Sequence, residues 1–171
     1  VSLQAGAFLA GVRAAARGGG GAPAGGALRD AGYRAGGALL PAFAAWLAVR
    51  GEPSPEQLPE ERLGPYLSGY LEELGWGHLT MGPAGGALLQ VRIHAWAEAP
   101  GAEGRPVTTG LLAGVLGAVA DAPLGVLELP PPRTGAPGDG RFLVGAAAVL
   151  QRIHAALVRG DGVEAALAQA E

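Results

Sequence analysis

Three histidines, a carboxylate inside an apolar strand and two tyrosines a helical turn apart are the side chains here with chemistry to offer. His78, His94 and His154 fall on three different predicted elements. No His-x-x-x-His or His-x-His spacing joins any two of them, so the sequence supports no metal site. His94 alternates with Arg92 and Trp96, which reads either as a solvated strand face or as a polar anchor at a pocket mouth. Glu128 sits between Leu127 and Leu129, where alternation places it on a solvent face. No second carboxylate lies close to it in sequence, so a catalytic carboxylate pair is not indicated. Tyr66 and Tyr70 can present their hydroxyls to a ligand. The serines, Ser2, Ser54 and Ser68, lack a nucleophile-elbow context. Gly18 to Gly21 lacks the Lys-Ser/Thr of a phosphate-binding loop, and no strand–Gly-x-Gly-x-x-Gly–helix unit is present, which excludes nucleotide binding. No catalytic residue, metal ligand or cofactor is assigned.

The composition narrows the field further. At 171 residues the chain is long enough for one domain with a real core. Apolar residues make up 49%, charged residues 16%, and the net charge is −3, which gives no electrostatic reason to bind nucleic acid or an acidic membrane. All 12 basic residues are arginine, in keeping with a high-GC coding bias that weakens any reading of single Ala and Gly positions. Without cysteine there is no disulfide, thiol nucleophile or thiolate metal site. No leader-like pattern opens the sequence. Its apolar stretches are broken by Gly, Arg or Pro before reaching the roughly 18 residues that span a bilayer. The expectation is a soluble cytoplasmic protein.

The elements that must position these groups follow from periodicity. Leu3–Ala16 reads as a helix, and residues 18–26 as a flexible connector. From Ala27 the pattern is helical through Leu39, Phe43 and Leu47, with a kink or break expected at Pro41. Glu60–Leu74 is a helix capped by Gly75. Trp76–Met81 and Ala87–Ala97 read as a hairpin. The second strand puts Leu89, Val91, Ile93 and Ala95 on one face, and Gln90, Arg92, His94 and Trp96 on the other. Thr108 or Thr109 is expected to cap the next helix, which carries Gly110, Gly114 and Gly117 as a small-residue seam. Leu124–Leu129 and Arg141–Gly145 read as strands and Ala146–Val158 as a helix. Asp161 and Glu164 have capping-box spacing before a last helix, Val163–Ala170. Segregated strands and helices predict an α+β fold, a four-stranded antiparallel sheet packed with several helices. The expected domains are 1–26, a helix and connector; 27–147, the ligand-binding unit; and 148–171, a helical extension.

The stretch Arg105–Val144 has the layout Gly-Leu-Leu-Ala-Gly, then Val-Leu-Glu, then Gly-Asp, then Arg-Phe-Leu-Val. With Ala31–Gly36 and Leu71–Leu79 before it, the run Leu28–Val144 resembles the 4-vinyl reductase domain family of hydrocarbon-binding proteins. That family shares its fold, the ligand-binding fold of NO signalling and Golgi transport, with the Bet-three-type subunits of the TRAPP complex. The resemblance implies a module that binds or senses small apolar or aromatic molecules. Some members hold a structural zinc with cysteines and a glutamate. Glu128 matches the glutamate, but the cysteine positions fall near Arg105, Pro131 and Phe142. Without thiolates the four-ligand shell is not built. The resemblance also offers Glu128 another role, orienting a neighbouring loop or arginine.

The expected ligand site lies between helices and sheet, lined by Phe43, Trp46, Tyr66, Tyr70, His94, Trp96, Leu112 and Leu116. Core packing is the competing reading for each aromatic. The first functional reading is a non-catalytic binding module for a small apolar or aromatic ligand, with a homodimer expected from the high apolar fraction. The alternatives are a TRAPP-like interaction scaffold without ligand and a vinyl-group reductase of tetrapyrrole metabolism. The last lacks any visible nicotinamide or flavin motif.

Overall fold

The computed structural model describes residues 24–131 and 138–169. The expected helix Leu3–Ala16 and the tetraglycine after it lie outside the described residues. In order come α1 (Ala24–Val49), a 3-10 turn (Pro55–Gln57), α2 (Glu60–Glu73), β1 (His78–Gly85), β2 (Leu88–His94) and α3 (Pro106–Val119). Then follow β3 (Gly125–Glu128), β4 (Gly140–Gly145), α4 (Ala147–Val158) and α5 (Val163–Ala168). The strands form one sheet in the order β1-β2-β4-β3, and every neighbouring pair is antiparallel. The α+β architecture with a four-stranded antiparallel sheet is the one periodicity predicts.

Glycine spacing sets the central helix pair. Gly32 and Gly36 of α1 face Val107 and Leu111, while Gly110 and Gly114 of α3 face Arg29 and Tyr33. A Cβ at any of the four would lie 2.0–2.3 Å from a backbone carbonyl of the other helix. Residue numbers rise together along the contact, so the helices run parallel with their backbones touching. Each glycine costs about 1 kcal/mol against alanine in a helix interior, and close packing offsets that cost.

Helix α1 does not break at Pro41. It runs as one element to Val49, with Pro41 exposed and Phe43 and Leu47 fully buried in the next turns. Burying those two side chains contributes on the order of 2 kcal/mol each, enough to hold the helix against one lost backbone bond. Helix α2 ends as expected. Gly75 has φ +81°, its N–H bonds the Glu72 carbonyl, and the Trp76 N–H bonds the Leu71 carbonyl, which is a Schellman cap.

The inner sheet face meets α1, α2 and α3 in the main core, where Val91, Ile93 and Phe142 are fully buried. The outer face is divided. Leu88 and Leu143 pack under Leu150 and Ile153 of α4, while Thr80, Arg92 and His94 are exposed. Strict alternation holds along β2 and then fails. Ala95 adopts φ +48° and is exposed, and Trp96 turns into the core at 5% exposure, off the face of Arg92 and His94. There it packs on Trp76 with centroids 5.9 Å apart, and its indole N–H donates to the Thr108 hydroxyl at 2.8 Å. Burying an indole with its polar handle satisfied outweighs one left-handed residue.

Two caps differ from expectation. Thr108 and Thr109 lie inside the first turn of α3, whose N-cap is Arg105. Gly162 caps α5 without any side-chain bond, because the Asp161 carboxylate turns to Arg159 at 3.2 Å.

Candidate functional site: a groove along the free edge of β3

A buried polar network builds the floor of the site. Glu98 is 1% exposed and meets the N-terminus of α3. Its carboxylate accepts the N–H of Val107 at 3.2 Å, the N–H of Thr108 at 2.6 Å and the Thr108 hydroxyl. A carboxylate there satisfies orphan donors and complements the helix dipole, the work expected of a threonine. Arg105 is 4% exposed and spreads across three acceptors. Its Nε donates to the Glu98 carbonyl at 3.0 Å, Nη1 to Glu128 Oε1 at 2.7 Å and Nη2 to the Asp139 carbonyl at 2.7 Å. Its backbone N–H donates to Glu128 Oε2 at 2.7 Å. Gly104 has φ +69°, and a Cβ there would lie 2.2 Å from Glu128 Oε2, so only glycine lets the backbone approach the carboxylate. Glu128 therefore orients a loop and an arginine instead of facing solvent.

This donor set does not fit a zinc ion. Both Glu128 oxygens are occupied by N–H donors, and a guanidinium has no lone pair to give a metal. No cluster of three or more His, Asp or Glu able to hold a metal occurs among the described residues.

Beside the network a cleft of about 620 Å³ opens between Pro100–Arg105, Leu127–Pro131 and His154, Leu157 and Val158 of α4. A second, of about 440 Å³, lies between Tyr33, Ala113, Leu124–Leu127, Leu150 and His154. Leu127 and His154 line both, so the two run end to end along the outer edge of β3. The Leu129 N–H bonds the Arg141 carbonyl at 2.8 Å. Antiparallel alternation then turns the N–H and C=O of Leu127 toward β4, and those of Val126 and Glu128 away from it, toward the groove.

The side chains expected to line a ligand site are elsewhere. Phe43, Tyr70, Trp96, Leu112 and Leu116 are buried in the main core, with Trp46 and Tyr66 packed against it. Phe43 and Tyr70 have centroids 5.3 Å apart, and Trp46 and Tyr70 5.7 Å. Burial pushes the Tyr70 phenol above its usual range. The Tyr66 hydroxyl donates to Glu52, and this bond, assisted by Arg62, holds the Glu52 carboxyl below the usual carboxylate range. The Trp46 indole donates to Glu73 at 2.8 Å. His94 is apart from these seven, half exposed, with its ring 3.2 Å from Asp139. None of the eight lines either cleft of the groove.

Sequence reasoning missed Glu98, and it marked Arg105 only as a position where the resembling family has a cysteine. Nothing in a loop sequence marks a carboxylate as buried under a helix end. Leu157, on the apolar face of α4, packs against the outer cluster while also forming a groove wall. No helix among the described residues is long and apolar enough to cross a membrane. Comparison with protein-family models matched none, and comparison with curated proteins matched none.

Proposed function

We propose that this chain is a non-catalytic binding module that takes an elongated apolar or aromatic small molecule into the β3-edge groove. The observation that carries the reading is the continuity of two clefts past Leu127 and His154, each within the volume range of small-molecule sites. Leu124, Val126, Leu127, Leu150 and Leu157 supply apolar walls, and His154 supplies a polar group midway. The Arg105–Glu128 network holds one wall rigid, and its hydrogen bonds are spent internally, which favours holding a ligand over transforming one. The hydrocarbon-binding character implied by the resemblance to 4-vinyl reductase domains agrees with this chemistry, with the ligand at the sheet edge. A cytoplasmic homodimer belongs to the same reading.

The test joins native mass spectrometry to a probe titration. The purified chain should carry a discrete apolar compound near one per chain, or take up N-phenyl-1-naphthylamine with a saturable rise in fluorescence. Val158→Glu, at an exposed groove position, should weaken the probe at least fivefold. A bare chain with no saturable probe signal would sink the proposal. So would a Val158→Glu titration identical to wild type. Light scattering at micromolar concentration checks the dimer, and a monomer mass removes that part.

One observation favours a second reading, an interaction scaffold. Val126 and Glu128 turn unpaired backbone groups toward the groove, and an extended partner segment could pair with them as an added strand. Slowed hydrogen exchange of those two amides on adding a partner peptide would separate this reading from the first.

A further inference from the structure

Arg50 pairs with Glu73, Arg62 with Glu52, Arg105 with Glu128 and Arg159 with Asp161. Among the described residues Arg92 and Arg141 have no carboxylate partner, and the sheet sets them side by side. Arg92 on β2 stands directly opposite Arg141 on β4. The Arg141 carbonyl faces β3, where it accepts the Leu129 N–H. The Arg92–Arg141 pair is therefore of the non-hydrogen-bonded kind, in which Cα atoms approach to about 4.5 Å and side chains are closest. Like charges directly opposite each other oppose strand pairing.

The two side chains lean apart. Arg92 Nε donates to Gln90 Oε1 at 2.9 Å, and Arg141 Nη2 reaches the Pro130 carbonyl at 3.3 Å. Arg141 Nε is buried with no acceptor. Most of the donors in the two forks are thus uncommitted. Thr80 on β1 stands opposite Arg92, so one row across three strands reads Thr80, Arg92, Arg141. The row beside it reads His78, His94, Asp139, with the two imidazoles 6.4 Å apart and Asp139 held by His94. This is the half of the outer face where Thr80, Arg92 and His94 are exposed.

We infer that Arg92 and Arg141, with the Thr80 hydroxyl beside them, form a binding site for a phosphate group on the outer face of the sheet. A carboxylate offers two oxygens and one charge. Two guanidinium forks and a hydroxyl ask for more, and a phosphate dianion supplies both the acceptors and the charge. The anion would draw together two side chains that repel each other without it. The site is independent of the groove, so either can fail alone.

The test follows the backbone amides by nitrogen-15 NMR while inorganic phosphate replaces chloride at constant ionic strength. Saturable shifts should appear in residues 78–82, 90–94 and 139–143. Arg92→Gln, at an exposed position, should weaken phosphate at least tenfold. It should also leave the melting temperature in chloride unchanged or raised, because it removes a like-charge contact. A glycerol phosphate arm separates sources: tighter binding than inorganic phosphate assigns the site to a small phosphomonoester, and equal binding assigns it to the free ion. Linear, non-saturating shifts would overturn the proposal. So would an Arg92→Gln variant that binds phosphate as wild type does, or one that melts lower in chloride and keeps its phosphate response.

Discussion

The inner face of the sheet and the β3 edge are built from the same kinds of side chain, yet one is filled and the other is open. Between helices and sheet, Phe43, Tyr70, Leu112 and Phe142 close on one another at 0–6% exposure. Along β3, Leu127 and Leu157 are half-buried, packed on one side against the cluster of Leu143, Leu150 and Ile153 and open on the other to the groove. Small residues explain the difference. In α1 and α3 the glycines let two backbones meet, so missing side chains remove space. Gly104 beside Arg105 is faced by the Glu128 carboxylate, and Gly37 of α1 by nothing within 4 Å of its would-be Cβ. A glycine in a sequence therefore predicts close approach or empty space depending on what faces it.

The largest effect should come from forcing the closed region open. Gly36→Val puts a Cβ 2.3 Å from the Leu111 carbonyl, with backbone on both sides and no flexible side chain to yield. Urea unfolding should show a loss upward of about 4 kcal/mol, or no folded protein. Gly37 is the control, because nothing lies within 4 Å of its would-be Cβ. Gly37→Ala should gain up to about 1 kcal/mol from helix propensity alone. Equal behaviour of the two variants would break the account of the seam.

The wall between the regions comes next. Arg105→Met takes the guanidinium away from Glu128 and from the Glu98 and Asp139 carbonyls, and should cost roughly 3 kcal/mol in urea unfolding. Arg105→Met with Glu128→Leu should recover most of that loss, since replacing both partners leaves no orphaned charge. A double variant as unstable as the single one would show that the bonds to carbonyls, not the ion pair, hold the loop.

A smaller pair of effects sharpens the contrast itself. Phe43→Leu should cost about 1 kcal/mol, measured by urea unfolding, and leave probe binding in the groove unchanged. Val158→Glu should stay within about 0.5 kcal/mol of wild type by the same measurement, while probe binding falls. The reverse pattern would return the ligand to the core.

The sequence carried the fold because fold follows periodicity. The helix over Glu60–Glu73, the β2 alternation and the Gly75 cap are local signals that the structure obeys. It failed where one local choice reset a phase. Ala95 at φ +48° moved Trp96 to the other face, and no rule assigns that angle to alanine. It also could not tell Phe43 lining a cavity from Phe43 filling one, since both need an apolar residue at the same helical position. The groove depends on the distance between β3 and α4, set by packing among Leu143, Leu150 and Ile153. Glu128 was the partial success, because its companion Arg105 lies 23 residues away and only the fold joins them.

The smallest effect concerns the rim of the closed region and its acid behaviour. Tyr66 lies against Trp46, and its hydroxyl bond is the main cause of the depressed Glu52 carboxyl, with Arg62 adding to it. A carboxyl depressed in the fold stabilises above its unfolded midpoint, and that contribution is lost as pH falls through the folded midpoint. Tyr66→Phe keeps the ring against Trp46 and removes only the donor. The Glu52 midpoint, followed by carbon-13 NMR of its side-chain carboxyl, should rise toward the usual range in the variant. The variant should then lack the Glu52 contribution at neutral pH and lose less stability than wild type as pH falls through the wild-type Glu52 midpoint, while the aromatic cluster stays packed. An unmoved Glu52 midpoint would assign the depression to Arg62 instead, and Arg62→Gln would then move it.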